Sequence, residues 1–320
     1  MTQMIFPPPL HRGDTVGLAA PSSPVTGKER DESVRFLESM GYRVRPGRTL
    51  KNPVPDNLHG YLAGTVSDRA ADINALFADD SVKAIFCIRG GYGSAGILCD
   101  LDYPTIRNHP KIFIGYSDIT NLHTVLQKFC GLVTFHGPMV KPDMISGFDE
   151  YSRESLRAAL EMGEWMTFEN PRDNPFQILS EGTACGIITG GNLAVLARSC
   201  GTFYQPDAAG KILFLEDIGE SVPSLHMYLI QMEESGLFDR AAGILLGDFT
   251  DCGNDRYDPS YDTAHFFRDW AAARRFPVMA GIHCGHGPQN GTIPLGATCI
   301  MDTVTGQILF QRPGIRPTDF

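Results

Sequence analysis

Lys111-Ile-Phe-Ile-Gly-Tyr-Ser-Asp-Ile-Thr-Asn-Leu-His123 is the stretch whose reading decides the fold. Ile112 to Ile114 is a short apolar run, and beyond Asp118 Leu122, Val125, Leu126 and Phe129 recur at spacings of three and four. The pattern predicts a strand, a sharp turn and a helix, with Ser117 at the corner. A hydroxyl at such a corner can meet a base, and the first N–H groups of the helix can receive a developing oxyanion.

Outward from this stretch the first half alternates. Residues 15–20 read as a strand, 28–40 as a helix, 42–44 as a strand and 46–66 as a long loop. Ser67 is expected to cap a helix whose stripe is Ile73, Leu76 and Phe77. Residues 84–88 are a buried strand ending in the turn Arg89-Gly-Gly-Tyr-Gly93, and 132–135 are another, ending in His136-Gly-Pro138. Strands and helices alternating at this spacing mean α/β: a Rossmann-like parallel sheet with helices on both faces. In such sheets function collects at the carboxyl ends of strands, where the glycine turn and Ser117 both fall.

The pattern loosens over residues 146–180, around one helix at 152–162. We expect an N-terminal domain over 1–145, a connection over 146–180 and a smaller mixed α/β domain over 181–320. Within the last, strands are expected at 182–189, 212–215 and 244–246, and helices at 190–198, 224–234 and 261–274, with a polar loop at 250–260. Short strands with glycine turns close the chain.

A formal charge of −10 argues against nucleic acid or an anionic membrane as partner. There is no apolar run of about eighteen residues that would span a bilayer. The N-terminus lacks a basic region followed by an apolar core, so a cytoplasmic location is expected. The eight cysteines are scattered without disulfide-like spacing and read as reduced thiols.

Each motif taken singly has a plain reading. Gly91-Tyr-Gly-Ser-Ala-Gly96 is a formal GxGxxG, but it does not follow the first strand, and Asp100, Asp102 and Pro104 leave little helix behind it. No dinucleotide cofactor is expected. The turn's N–H groups can instead face a substrate, since glycines permit close approach. Ser117 alone reads as a helix cap, and with Ile119 two residues on it is no GxSxG elbow. Glu216 ends an apolar strand beside Asp217 and Glu220, where an acid is usually solvated. His283-Cys-Gly-His286, with Cys252, raises a metal reading, yet the spacing matches no usual zinc pair, and no metal is expected.

The set is more specific than any member. Arg89-Gly-Gly-Tyr-Gly93, Gly115-Tyr-Ser-Asp-Ile-Thr120, His136-Gly-Pro138, Gly190-Gly-Asn-Leu193, Leu213-Phe-Leu-Glu-Asp217, and Gly285-His-Gly287 with Ile293-Pro-Leu-Gly296 occur in one order. Together they resemble the LD-carboxypeptidase family, the serine peptidases of murein recycling and microcin immunity, from about Pro9 to about Asp302. The resemblance implies a Ser-Glu-His triad shared between two domains: nucleophile Ser117, acid Glu216, base His286. In one place the chain departs from the family. The helix after Glu216 opens Glu220-Ser-Val-Pro-Ser-Leu-His-Met-Tyr228, without the Tyr-Arg…Asp-Arg pattern often found there, which leaves its substrate contacts open.

In such a triad His286 takes the Ser117 proton and Glu216 orients the imidazole. The N–H groups of Asp118 and Gly91 are the candidate oxyanion donors. Arg89 has the fork that suits a terminal carboxylate, or it satisfies backbone carbonyls. The implied reaction hydrolyses the amide between an L-centred diamino acid and the terminal D-alanine of a muropeptide tetrapeptide, without cofactor. Two alternatives stand beside it: a microcin-immunity hydrolase of aminoacyl-nucleotide amides, with Trp165 as the better placed of two tryptophans to meet the base, and a non-catalytic ligand-binding protein. A homodimer is the default expectation for such enzymes.

Overall fold

The computed structural model describes residues 3–51, 60–254 and 256–313. Of the loop expected over 46–66, residues 52–59 lie outside that description, as does residue 255 in the expected polar loop. Five strands of the first half are parallel: β1 (Thr15–Ala19), β2 (Arg43–Pro46), β3 (Val82–Cys87), β4 (Ile112–Gly115) and β5 (Thr134–His136), in the spatial order 5-4-3-1-2. β4 is buried at every position, as a strand covered on both faces must be. Its successive residues enter different cores. Ile112 and Ile114 pack in one with Leu37 of helix Gly27–Ser39, and Phe113 packs in another with Ile73, Leu76 and Phe77 of helix Val66–Ala78. Alternating side chains thus carry helices onto opposite faces.

The helix starts follow local chemistry. Thr26 and Glu29 form a reciprocal capping box. Helix Val66–Ala78 is capped by Thr65, not by Ser67 as expected, because the Thr65 hydroxyl accepts from the Asp68 N–H. The helix expected after Ser117 begins as a tight turn over Ser117–Ile119, continues as α-helix over Thr120–Val125 and widens over Leu126–Cys130.

The second half is built on β6 (Trp165–Phe168), β7 (Gln177–Ser180), β8 (Thr183–Asn192), β9 (Ile212–Ile218), β10 (Gly243–Thr250), β11 (Val278–Ala280), β12 (Ile293–Leu295), β13 (Thr298–Asp302) and β14 (Gln307–Gln311). All but β12 form one sheet of eight strands, in the order 6-14-13-8-9-10-11-7. Its centre, β8 to β11, is parallel and its flanks are antiparallel. This sheet has more strands than the first, two of them, β6 and β7, from residues before 181. Residues 146–180, expected as a connection, supply helix Glu150–Leu160 and the edge strands β6 and β7. Strands of four residues among prolines and charges give too little alternation to read.

β12 leaves the second sheet and pairs antiparallel with β5 at the edge of the first, making that sheet six-stranded. One core runs through both sheets, joining Phe135 and Ile293 to Phe214 and Met279. The residues between β11 and β12, 281–292, therefore cross from one sheet to the other. Among the described residues no helix is long and apolar enough to cross a membrane.

Candidate active site

Ser117 sits at φ +64°, in the left-handed region, directly after β4. Asp251 is the only other described non-glycine residue with positive φ. A serine held there costs about 1–2 kcal/mol and marks a sharp strand-to-helix turn. Ser117 is not a helix cap: Tyr116 occupies the cap position, and no described hydrogen bond uses the Ser117 hydroxyl. The geometry of a nucleophile elbow is present without the GxSxG pattern. Ser117 lies beneath the glycine turn, where a Cβ added to Gly90 would stand 3.0 Å from Ser117 Cβ and 3.2 Å from its Oγ.

Glu216 is fully buried, because β9 runs two residues past it and Gly285 closes over it. Gly285 has φ +121°, and a Cβ there would stand 2.6 Å from Glu216 Oε2, so only glycine permits this approach. The next residue, His286, places Nδ1 2.7 Å from Glu216 Oε2. Assigned from that contact, Nδ1–H donates and Nε2 is left to exchange a proton. Burial works to lower the His286 pKa, yet the Glu216 charge and hydrogen bond, with Asp217 and Asp143 beyond, raise it above the ordinary histidine value. His286 rides on the segment crossing between the sheets.

Tyr116 brings the two parts together. Its ring meets the His286 ring edge-on, centroids 4.8 Å apart, so the imidazole lies against the residue adjoining Ser117. Among the described hydrogen bonds none joins Ser117 Oγ to His286, and unliganded catalytic contacts are often longer than in the working complex. The Tyr116 hydroxyl donates to Asp143 Oδ1 at 3.2 Å, and burial lifts the Asp143 carboxyl to about 6.

The glycine turn is tied down by Asp118. Its carboxylate accepts from the Ser22 hydroxyl at 2.7 Å and from the Ser94 N–H at 2.8 Å. Arg69, 1% exposed, donates to the carbonyls of Gly64, Pro21 and Gly93. No described hydrogen bond uses the N–H of Gly91 or of Asp118. Arg89 is half-buried, and its Nε is buried without a hydrogen-bond partner.

Sequence reasoning missed several neighbours. His136 is fully buried, with Nε2 4.0 Å from the unpartnered Glu216 Oε1, and burial holds its pKa well below the ordinary value. Asp217 accepts from Asn192, the Ala194 N–H and the Ile218 N–H. Tyr116 and His136 were signalled only by lying inside the quoted motifs. The residues weighed as metal ligands part company: His283 Nδ1 faces Asp248 at 3.4 Å, His286 faces Glu216, and Cys284 donates to the Gly291 carbonyl. Trp165 does not reach the site. It stands on edge strand β6, with three strands between it and β9, and Trp270 belongs to the core with Phe238 and Phe267.

The pattern described as the LD-carboxypeptidase N-terminal domain matches residues 16–137, and that of the C-terminal domain matches 185–301. The protein named probable murein peptide carboxypeptidase of Bacillus subtilis is 39% identical, covering 93% of this chain and 91% of its own length. The murein tetrapeptide carboxypeptidase of Pseudomonas aeruginosa is 32% identical, over 90% and 92%. A solved structure of MccF in complex with glutamyl sulfamoyl guanosine superposes with a TM-score of 0.85 at 27% identity, over 97% of this chain and 99% of that one.

Proposed function

From the premise that the chain belongs to the LD-carboxypeptidase family, we propose that it is a serine carboxypeptidase releasing D-alanine from murein tetrapeptides with Ser117, His286 and Glu216. The observation that carries this reading is the buried Glu216–His286 hydrogen bond at 2.7 Å, set against the turn that holds Ser117 in left-handed backbone.

The chemistry runs in two halves. Ser117 Oγ attacks the carbonyl carbon of the diamino acid while its proton passes to His286 Nε2. The carbonyl oxygen becomes an oxyanion, for which the free N–H groups of Asp118 and Gly91 are the donors; losing one such donor typically costs about 3–4 kcal/mol of barrier. The C–N bond then breaks, and His286 gives its proton to the departing amine of D-alanine. Water enters, loses a proton to His286 and cleaves the acyl-serine, and that proton returns to Ser117 Oγ. Glu216 keeps the imidazole in the Nδ1–H tautomer and stabilises its charged form. Arg89, with its unpartnered Nε, receives the terminal carboxylate.

The test is incubation with a murein tetrapeptide and measurement of free D-alanine, with Ser117→Ala as control. We expect release by the wild type and a loss of about 10⁴-fold or more in the variant. No release would overturn the reaction, and release unchanged in Ser117→Ala would overturn the mechanism. An aminoacyl sulfamoyl nucleotide in a parallel arm tests the other reading suggested by the MccF likeness, for which Trp165 on its distant edge strand offers no base partner.

A further inference from the structure

Beside the glycine turn lies a cavity of about 610 Å³. One wall is the first half of the chain, with Tyr92 and Gly93 of the turn, Asp118 and Asn121. The other is helix Leu193–Ser199 of the second half, which contributes Val195 and Arg198. Tyr61 and Tyr92, both exposed and with ring centroids 5.7 Å apart, stand among its lining residues. The volume is that of a drug-sized ligand pocket and far exceeds a single leaving alanine.

The turn gives the cavity a direction. A Cβ added to Gly91 would collide with Ser23 and approach Arg89, whereas one added to Gly93 would meet Leu62 and Arg69, which line the cavity. Arg89 and the cavity thus flank different parts of one turn, and Ser117 lies under Gly90, next to Arg89 in the chain. A peptide whose terminal carboxylate is held at Arg89 and whose amide lies over Ser117 runs its larger, acyl side into the cavity.

Charge then selects among acyl groups. Three charged residues line the cavity. Arg69 is occupied by three carbonyls, and the Asp118 carboxylate by Ser22 and Ser94. Arg198 is exposed and, among the described residues, makes no ion pair or side-chain hydrogen bond. We propose that this cavity is the acyl-side subsite and that Arg198 binds a carboxylate carried by the substrate on the acyl side of the scissile amide. Arg198 is then a specificity determinant, preferring peptides whose acyl-side carboxylates are free over those in which they are amidated. The identity of the peptide and the direction in which it lies rest on the reading under Proposed function; the charge lining the cavity does not.

The experiment measures binding in the Ser117→Ala protein, which holds the tetrapeptide uncleaved. Two peptides are titrated by calorimetry: the murein tetrapeptide, and the same peptide amidated at every acyl-side carboxylate but free at the terminal D-alanine. The amidated peptide is expected to bind about tenfold more weakly. Adding Arg198→Ala should weaken the free-acid peptide about tenfold and remove the difference between the two, while Arg198→Lys keeps part of it. Adding Arg89→Ala instead should weaken both peptides alike. Equal binding of the two peptides, or discrimination surviving Arg198→Ala, overturns the subsite. D-alanine release by the wild type is read separately. Release without Arg198-dependent discrimination sinks this inference alone, and Arg198-dependent binding without release sinks the proposed reaction alone.

Discussion

Ser117, His286 and Glu216 are each held at some cost. Ser117 occupies left-handed backbone, Glu216 is buried without exposure, and His286 is largely removed from water. A buried carboxylate and a raised imidazole stabilise one another, so changing either alters both. Glu216→Gln keeps the shape but removes the charge and the fixed acceptor. We expect kcat to fall by about 10³–10⁴-fold, as when a triad acid is neutralised. The pH profile supplies the sign. In the proposed mechanism His286 must be neutral to accept the serine proton, and its pKa is raised, so the acid limb of kcat/KM should lie above about 6.5, with activity falling as pH drops through it. In Glu216→Gln the residual activity should show that limb at lower pH. A limb that stays in place would remove Glu216 as the partner of the base.

The glycine turn at residues 89–93 is an element whose work is positional. The Tyr92 N–H donates to Ser23 Oγ at 3.2 Å, no described hydrogen bond uses the Gly91 N–H, and the anchors Asp118 and Arg69 bind the neighbouring Ser94 N–H and Gly93 carbonyl. Gly91 has φ +109° and Ser23 packed where a Cβ would go. Gly91→Ala should therefore displace the turn, costing about 1–2 kcal/mol of stability, read as a lowered Tm. With Gly91 as the proposed oxyanion donor, it should also lower kcat by about 10–100-fold with little change in KM, since such a donor acts in the transition state. A fall confined to KM would assign the turn to substrate binding instead.

At the scale of the molecule, β12 decides how the halves behave. It carries the chain from the second sheet back to the edge of the first, and the segment it anchors bears His286. His286 and Ser117 are therefore held by strand pairing and a shared core rather than by two units docking. Unfolding should be a single transition, with far-ultraviolet circular dichroism coinciding with fluorescence from Trp165 and Trp270, which both lie in the second half. Ile293 is fully buried in β12, and Ile293→Ala should cost about 2–5 kcal/mol. It should also lower kcat, as the crossing segment loosens. Two separated transitions would show the halves to be independent.

The sequence by itself determined the parallel sheet of the first half, since apolar runs alternating with helical stripes admit few other arrangements. Its ordered motifs also carried the family, because close approach and left-handed backbone demand glycine at fixed places, as at Gly91 and Gly285. Local patterns could not give what depends on distant partners. Ser117 reads as a cap until its backbone angle is known, and Glu216 reads as a solvated strand end until Gly285 covers it. Trp165 is placed near the site by chain order and far from it by strand order. Strand β12 is three residues long, too short for periodicity to tell which sheet it joins. Only tertiary structure decided that the second sheet is the larger, that the halves share a core, and that the segment bearing His286 crosses between them. Pairing between residues more than 150 positions apart, such as Phe135 with Pro294, depends on the assembled surface rather than on the residues near either strand.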